Sequence, residues 1–227
     1  VSGTVEAVGA GVTRFKPGDA VYAFAGGFKG TGGALAELMA ADSHLVAAAP
    51  SAIGLAAAGA LPVVALTAWE AVVERGAVRP GQRVLVQGGA GGVGHVALQL
   101  AKCAGAEVDT TVSGQAKAEI ARGLGADGVI LRREEAPADY VARLTGGEGY
   151  DVVIDTAGGD SLAASFQAVR AGGTVVTIAA RSTQDLSPLH ARGATLHVVF
   201  LVLPILKGAG RARYGQNLGR LARLIDA

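Results

Sequence analysis

The stretch Val84–Lys102, VLVQGGAGGVGHVALQLAK, places five glycines within seven residues between an apolar run and an amphipathic one. Glycine loses more backbone entropy on ordering than any other residue, so such a cluster needs a conformational or contact reason. VLVQ reads as a buried strand and HVALQLAK as a helix with one apolar face. Between them Gly89-Ala90-Gly91-Gly92-Val93-Gly94 fits G-x-G-x-x-G. In that pattern Gly89 permits the tight turn, Gly91 lets backbone approach a pyrophosphate, and Gly94 allows close helix–strand packing. The N–H groups at the start of the following helix have no partner of their own and carry partial positive charge, which suits phosphate oxygens. The strand–loop–helix context separates this reading from a close-packed turn without a ligand.

Working outward, the residues after Arg79 alternate between strand-like and helix-like runs. RVLVQ is followed by a helix to Ala104, and EVDTTV by one over Gln115–Leu124. GVI precedes a helix over Pro137–Leu144, and DVVIDT one over Ser161–Arg170; TVVTIA and TLHVVF complete the series. Six short β runs with helices between most of them predict a doubly wound α/β fold with a parallel sheet in the order 3-2-1-4-5-6 and right-handed crossovers. Before residue 50 the signals are different. VSGTVEAV alternates, KPGD is a turn in which Pro17 presets φ and Gly18 supplies a positive one, and AVYAFA is again extended. Two domains are therefore expected: a small β domain over 1–60 and a dinucleotide-binding domain over 61–227, whose last helix leads back towards the first.

Composition narrows the function classes. The chain has 227 residues, 50% of them hydrophobic and 17% charged, with a formal net charge of +1. That excludes general disorder and gives no electrostatic case for nucleic acid or an acidic membrane. The single cysteine, Cys103, rules out an intramolecular disulfide and fits a reducing, cytoplasmic setting, with a small buried role expected for its side chain. No charged residue lies between Asp42 and Glu70, but Pro50 and Pro62 interrupt that stretch, so a domain junction is expected rather than a membrane span. The chain opens at Val1 inside a strand-like run, and a missing beginning is expected.

The second strand bears on the choice of dinucleotide. NAD sites place an acidic residue about 20 positions beyond the first glycine, at the end of the second strand. Asp109 has that spacing but falls inside EVDTTV, where it would not reach the ribose. The strand ends at Val112, and Ser113, Gly114 and Lys117 follow. A hydroxyl and an ammonium there suit a 2′-phosphate, so NADP(H) is the expected cofactor; the competing reading of Lys117 is a solvated helix-start lysine.

GTVEAVGAGVTRFKPGDAVYAF, LPVVALTAWEAV and VLVQGGAGGVGHVALQLAK together resemble the medium-chain dehydrogenase/reductase superfamily, in its zinc-independent quinone oxidoreductase (zeta-crystallin-like) branch. The resemblance covers essentially the whole chain. It implies a partial GroES-like catalytic domain followed by a Rossmann domain, in a chain shortened at both ends and assembled as a homodimer. It also implies that Thr67 hydrogen-bonds the nicotinamide side, that Ile178, Ala179 and Ala180 lie near the nicotinamide, and that Phe200 helps wall the cleft. For Ile178 and Phe200 the competing reading is simple core burial. Asp155 and Gly158 would lie near the adenosine or ribose.

Zinc-dependent relatives carry a closely spaced cysteine lobe and a cysteine just before the threonine of the LTAW-like segment. Here Val63 stands in that neighbourhood, and His44, His95, His190 and His197 lack ligand spacing. The expected metal content is none. The expected reaction is hydride transfer from NADPH to a quinone or an α,β-unsaturated carbonyl, with no catalytic acid identifiable. A zinc-dependent alcohol dehydrogenase and a non-catalytic NADPH-binding protein are the alternatives.

Overall fold

The computed structural model describes residues 1–27 and 32–227. In chain order its elements are β1 (Ser2–Thr4), β2 (Ala20–Ala23), β3 (Val46–Ala48), α1 (Leu55–Ala58), α2 (Leu61–Trp69), β4 (Arg83–Gln87), α3 (Gly94–Cys103), β5 (Glu107–Val112), α4 (Gln115–Gly123), β6 (Gly128–Leu131), α5 (Pro137–Thr145), β7 (Tyr150–Asp155), α6 (Asp160–Ala168), β8 (Val169–Thr177), α7 (Ser187–Arg192), β9 (Thr195–Val198), α8 (Leu203–Lys207) and α9 (Ala212–Ile225). The helical path of α2 continues through Glu70–Arg75 with a wider π winding, in which Gly76 N–H donates to the Ala71 carbonyl. Among the described residues no helix is long and apolar enough to cross a membrane.

Contacts divide the chain into two compact units, Thr67–Phe200 and Val1–Leu66 with Leu201–Ala227. In Thr67–Phe200 six strands form one sheet in the order β6-β5-β4-β7-β8-β9, with every pair parallel. This is the 3-2-1-4-5-6 order that the alternating runs predict. Strands covered on both faces read as continuous apolar runs, and Val84, Leu85 and Val86 of β4 are each fully buried. Leu85, Ile130, Tyr140, Val153, Phe166 and Val175 belong to one buried hydrophobic cluster.

Two boundaries differ from the sequence reading. The helix expected over Ser161–Arg170 ends at Ala168, because Val169 already pairs with Tyr150 as the first residue of β8. Between β8 and β9 the structure adds α7, which the sequence reading lacks. Its start is marked by Asp185, whose Oδ1 accepts from Ser187 N–H at 2.9 Å and Ser187 Oγ at 2.6 Å, with Pro188 in the first turn.

In the other unit β1, β2 and β3 form an antiparallel sheet. Residues 201–227, counted in the sequence reading with the dinucleotide-binding domain but with the last helix leading back towards the small β domain, group with this sheet. The reasons are specific contacts. Tyr22 Oη donates to the Leu218 carbonyl at 2.6 Å, and the Phe24 and Tyr214 rings meet edge to face at 5.5 Å. Asp226 Oδ1 accepts from Ser51 and Ala52 N–H at 2.7 and 2.8 Å.

Candidate functional site

A parallel sheet of this order has a switch point beside its first strand. The chain leaves β4 towards β5 on one side and later returns to β7 on the other. Ligands of open α/β sheets bind outside the carboxyl ends of the strands at such a point. A cleft of about 230 Å³ lies there, lined by Gly88, Ala90 and Gly91 after β4, Thr111, Val112, Ser113 and Lys117 at and after β5, Arg132 after β6, and Thr156, Ala157 and Ser161 after β7.

Threonines stitch the strand ends beneath this cleft. Thr110 Oγ1 donates to the Val86 carbonyl at 2.6 Å and accepts from Gly89 N–H at 2.9 Å. Thr111 Oγ1 donates to Gln87 Oε1 at 2.7 Å and accepts from Gly88 N–H at 3.1 Å. Thr156 Oγ1 donates to the Gln87 carbonyl at 2.6 Å. Each of these three hydroxyls donates to an acceptor, which fixes the strand ends, while Gln87 Nε2 is buried without a partner among the described residues.

The glycine loop works differently from the motif reading in one respect. The left-handed residue of the turn is Gly88, at φ 81°, and not Gly89. Gly89 is needed for a second reason: a Cβ there would overlap the Thr110 side chain. Gly94 acts as expected, since a Cβ would overlap the Gly88 carbonyl and lie 3.0 Å from Gly89 Cα. The turn closes through Gly91 N–H to the Gly88 carbonyl at 2.8 Å. Val93 precedes the first helical residue, Gly94, and Gly92 is exposed beside it, so the N-terminus of α3 opens next to the cleft. His95 Nδ1 lies 2.9 Å from the Gly91 carbonyl, which makes it the donor in the Nδ1–H tautomer.

The charge of the lining is one-sided. It contains two cationic side chains, Lys117 and Arg132, and no carboxylate. Asp109, which has the spacing of a ribose-binding acid, is only 5% exposed within β5, and its Oδ2 accepts from Tyr150 Oη at 2.9 Å. Arg132 is a residue that the sequence reading misses. It sits in RREE, which reads as a solvated loop, and reaches the cleft because β6 lies beside β5.

Of the other expected residues, Ala90, Gly91, Ser113 and Lys117 line the cleft, and Gly114 joins β5 to α4 behind them. Thr67 is buried on α2 and outside the lining. Ile178, Ala179 and Ala180 follow β8 half-buried, also outside it. Phe200 is 50% exposed after β9, so core burial does not describe it. Asp155 is fully buried and bonded to Ala157 and Gly158 N–H and to the Thr177 hydroxyl. Cys103, expected to be buried, is exposed at the end of α3.

The residues present fit a dinucleotide: a glycine cradle, a helix N-terminus and a cationic wall converge on one cleft. Among the described residues no three His, Cys, Asp or Glu side chains come together as a metal donor set.

Residues 92–211 match the family described as zinc-binding dehydrogenase. The chain is 36% identical over 226 residues to the spectinabilin polyketide synthase system protein NorB of Streptomyces orinoci, covering 100% of this chain and 10% of that protein. Among solved structures it superposes with TM-score 0.95 and 43% identity on an alcohol dehydrogenase superfamily protein from Novosphingobium aromaticivorans, covering 99% of this chain and 67% of that one. It superposes on the quinone oxidoreductase of Pseudomonas syringae pv. Tomato DC3000 with TM-score 0.80 and 31% identity, covering 99% and 67%. The CurK enoyl reductase gives TM-score 0.77 and 26% identity, covering 98% and 65%. The chain belongs to the zinc-binding dehydrogenase family, within the medium-chain dehydrogenase/reductase superfamily of NAD(P)-dependent oxidoreductases.

Proposed function

We propose that this chain carries the NADPH site of a reductase that passes hydride to a quinone or an α,β-unsaturated carbonyl without zinc. The observation that carries the reading is the cleft wall of Ser113, Lys117 and Arg132 with no carboxylate beside it. A 2′-phosphate is dianionic and gains charge-assisted hydrogen bonds from such a wall, whereas a bare ribose needs an acid that this wall lacks. When bound, NADPH supplies the hydride. The chain's own residues do the rest: Gly88–Gly94 and the head of α3 take the pyrophosphate, and Thr156, Ala157 and Ser161 border the adenosine side. Thr67, Ile178, Ala179, Ala180 and Phe200 belong to the nicotinamide and acceptor side in this reading. The relatives named as quinone oxidoreductase and enoyl reductase support acceptors with an electron-poor conjugated carbonyl.

The test is a panel of quinones and enones given to the full-length protein with NADPH and NADH side by side, before and after chelation. Turnover with NADPH, insensitive to chelator, is the expected result. Turnover of alcohols that is lost on chelation would reverse the assignment.

A further inference from the structure

Asp155 is a fully buried carboxylate outside the cleft, and its surroundings give it a different task from binding. It is the last residue of β7 and stands directly opposite Thr177, the last residue of β8. Its Oδ1 accepts from Ala157 N–H at 3.2 Å and Gly158 N–H at 3.1 Å, and its Oδ2 accepts from Thr177 Oγ1 at 2.8 Å. Thr177 Oγ1 in turn accepts from Ala179 N–H at 3.2 Å, and Ile178 N–H donates to the Asp155 carbonyl at 3.1 Å. One carboxylate and one hydroxyl therefore hold both the loop after β7 and the segment after β8. The two segments also touch: a Cβ on Gly158, at φ 73°, would lie 2.5 Å from the Ala179 carbonyl oxygen. Neither can shift alone.

From this we infer that Asp155 and Thr177 are positioning residues that lock the segment Ile178–Ala180 to the cleft-lining loop Thr156–Ala157, so that the two ends of a bound dinucleotide meet one fixed rim. The inference rests on the NADPH reading, because it is that reading which puts Ile178–Ala180 on the nicotinamide side. A carboxylate suits the task because it accepts several donors at once, and hydrogen bonds to it are stronger than those to a neutral oxygen. With every one of these donors supplied by the chain, Asp155 holds the rim.

The test compares Thr177→Val, which keeps the volume but removes the hydroxyl, with Thr177→Ser, which restores it, in the full-length protein. Amide hydrogen exchange without cofactor should speed up about tenfold at both 157–159 and 178–180 in Thr177→Val and return to normal in Thr177→Ser. With NADPH and a quinone, kcat should fall about tenfold in Thr177→Val, while the Kd of 2′,5′-ADP, the adenosine half alone, stays within about twofold. Thr177→Ser should recover kcat. Faster exchange confined to 178–180, or an unchanged kcat in Thr177→Val, would overturn the inference alone. A wild-type protein that binds no 2′,5′-ADP would overturn the NADPH reading and this inference with it.

Discussion

Tyr150 Oη donates to Asp109 Oδ2 at 2.9 Å inside the core, with Tyr150 0% and Asp109 5% exposed. Burial pushes the Asp109 carboxyl above the usual carboxylate range; the Tyr150 hydrogen bond opposes this, and the charges of Glu107 and Asp127 add to it. A group whose folded pKa is raised binds its proton more tightly in the folded state. Its contribution to stability is complete below the ordinary carboxylate pKa and is lost as pH rises. The stability of Asp109→Asn relative to wild type should therefore rise from pH 4 to pH 8, with the variant the more stable of the two at pH 8. Thermal unfolding at both pH values checks this. A variant less stable than wild type at pH 8 would mean that the ionised carboxylate is the favoured form.

Asp127 predicts the opposite slope. Partial burial would raise its carboxyl, but the Lys102 ammonium at 2.7 Å and Val108 N–H at 2.6 Å hold it below the usual range. Its contribution is present above the ordinary carboxylate pKa and fades as pH falls through the lowered one. The side chain is 39% exposed, so solvent screening limits the ion pair to about 0.5–1 kcal/mol. Asp127→Asn should lose that amount at pH 7 and nothing at pH 2, by denaturant titration. High salt should narrow the difference.

For the cofactor, Lys117→Ala and Arg132→Ala should each weaken NADPH about tenfold, since charge-assisted bonds to phosphate are worth roughly 1.5–3 kcal/mol and 1.4 is a factor of ten. NADH should change little. Fluorescence titration of both cofactors against both variants measures the effect. Equal losses for NADPH and NADH would assign these side chains to the fold alone.

The order and class of the sheet are legible in the sequence because β-like runs alternate with helix-like ones from Arg83 onward. Local pattern suffices for that. Pairings between distant residues are another matter. Asp109 has no partner within its own run; its hydroxyl donor, Tyr150, comes 41 residues later. Arg132 becomes a cleft residue only once β6 is placed beside β5. The glycine cluster announces a tight loop, but nothing in the motif says that Gly88 bends and Gly89 yields space to Thr110. That assignment depends on the neighbouring strand.

The sixth strand of the sheet carries a prediction about assembly. β9 is an edge strand, and Val198 and Phe200 at its end are 52% and 50% exposed. An uncharged, apolar edge invites pairing with another strand. A homodimer joined through β9 is the expected state in solution. Sedimentation should show it, and Val198→Lys should shift it to monomer. A monomeric wild type at high concentration would refute the pairing.

The hydrogen bonds of Thr110 and Thr111 beneath the cleft are between neutral groups, and both side chains are buried, whereas Lys117 and Arg132 stand exposed in front of them. Ionic strength thus reaches one layer and not the other. Raising salt weakens the attraction between exposed cations and a phosphate, while the hydroxyl bonds of Thr110 and Thr111 are indifferent to it. The molecule can be emptied of an anionic ligand by salt and keep the shape that receives it. Desalting should then restore affinity at once, with no refolding step in between.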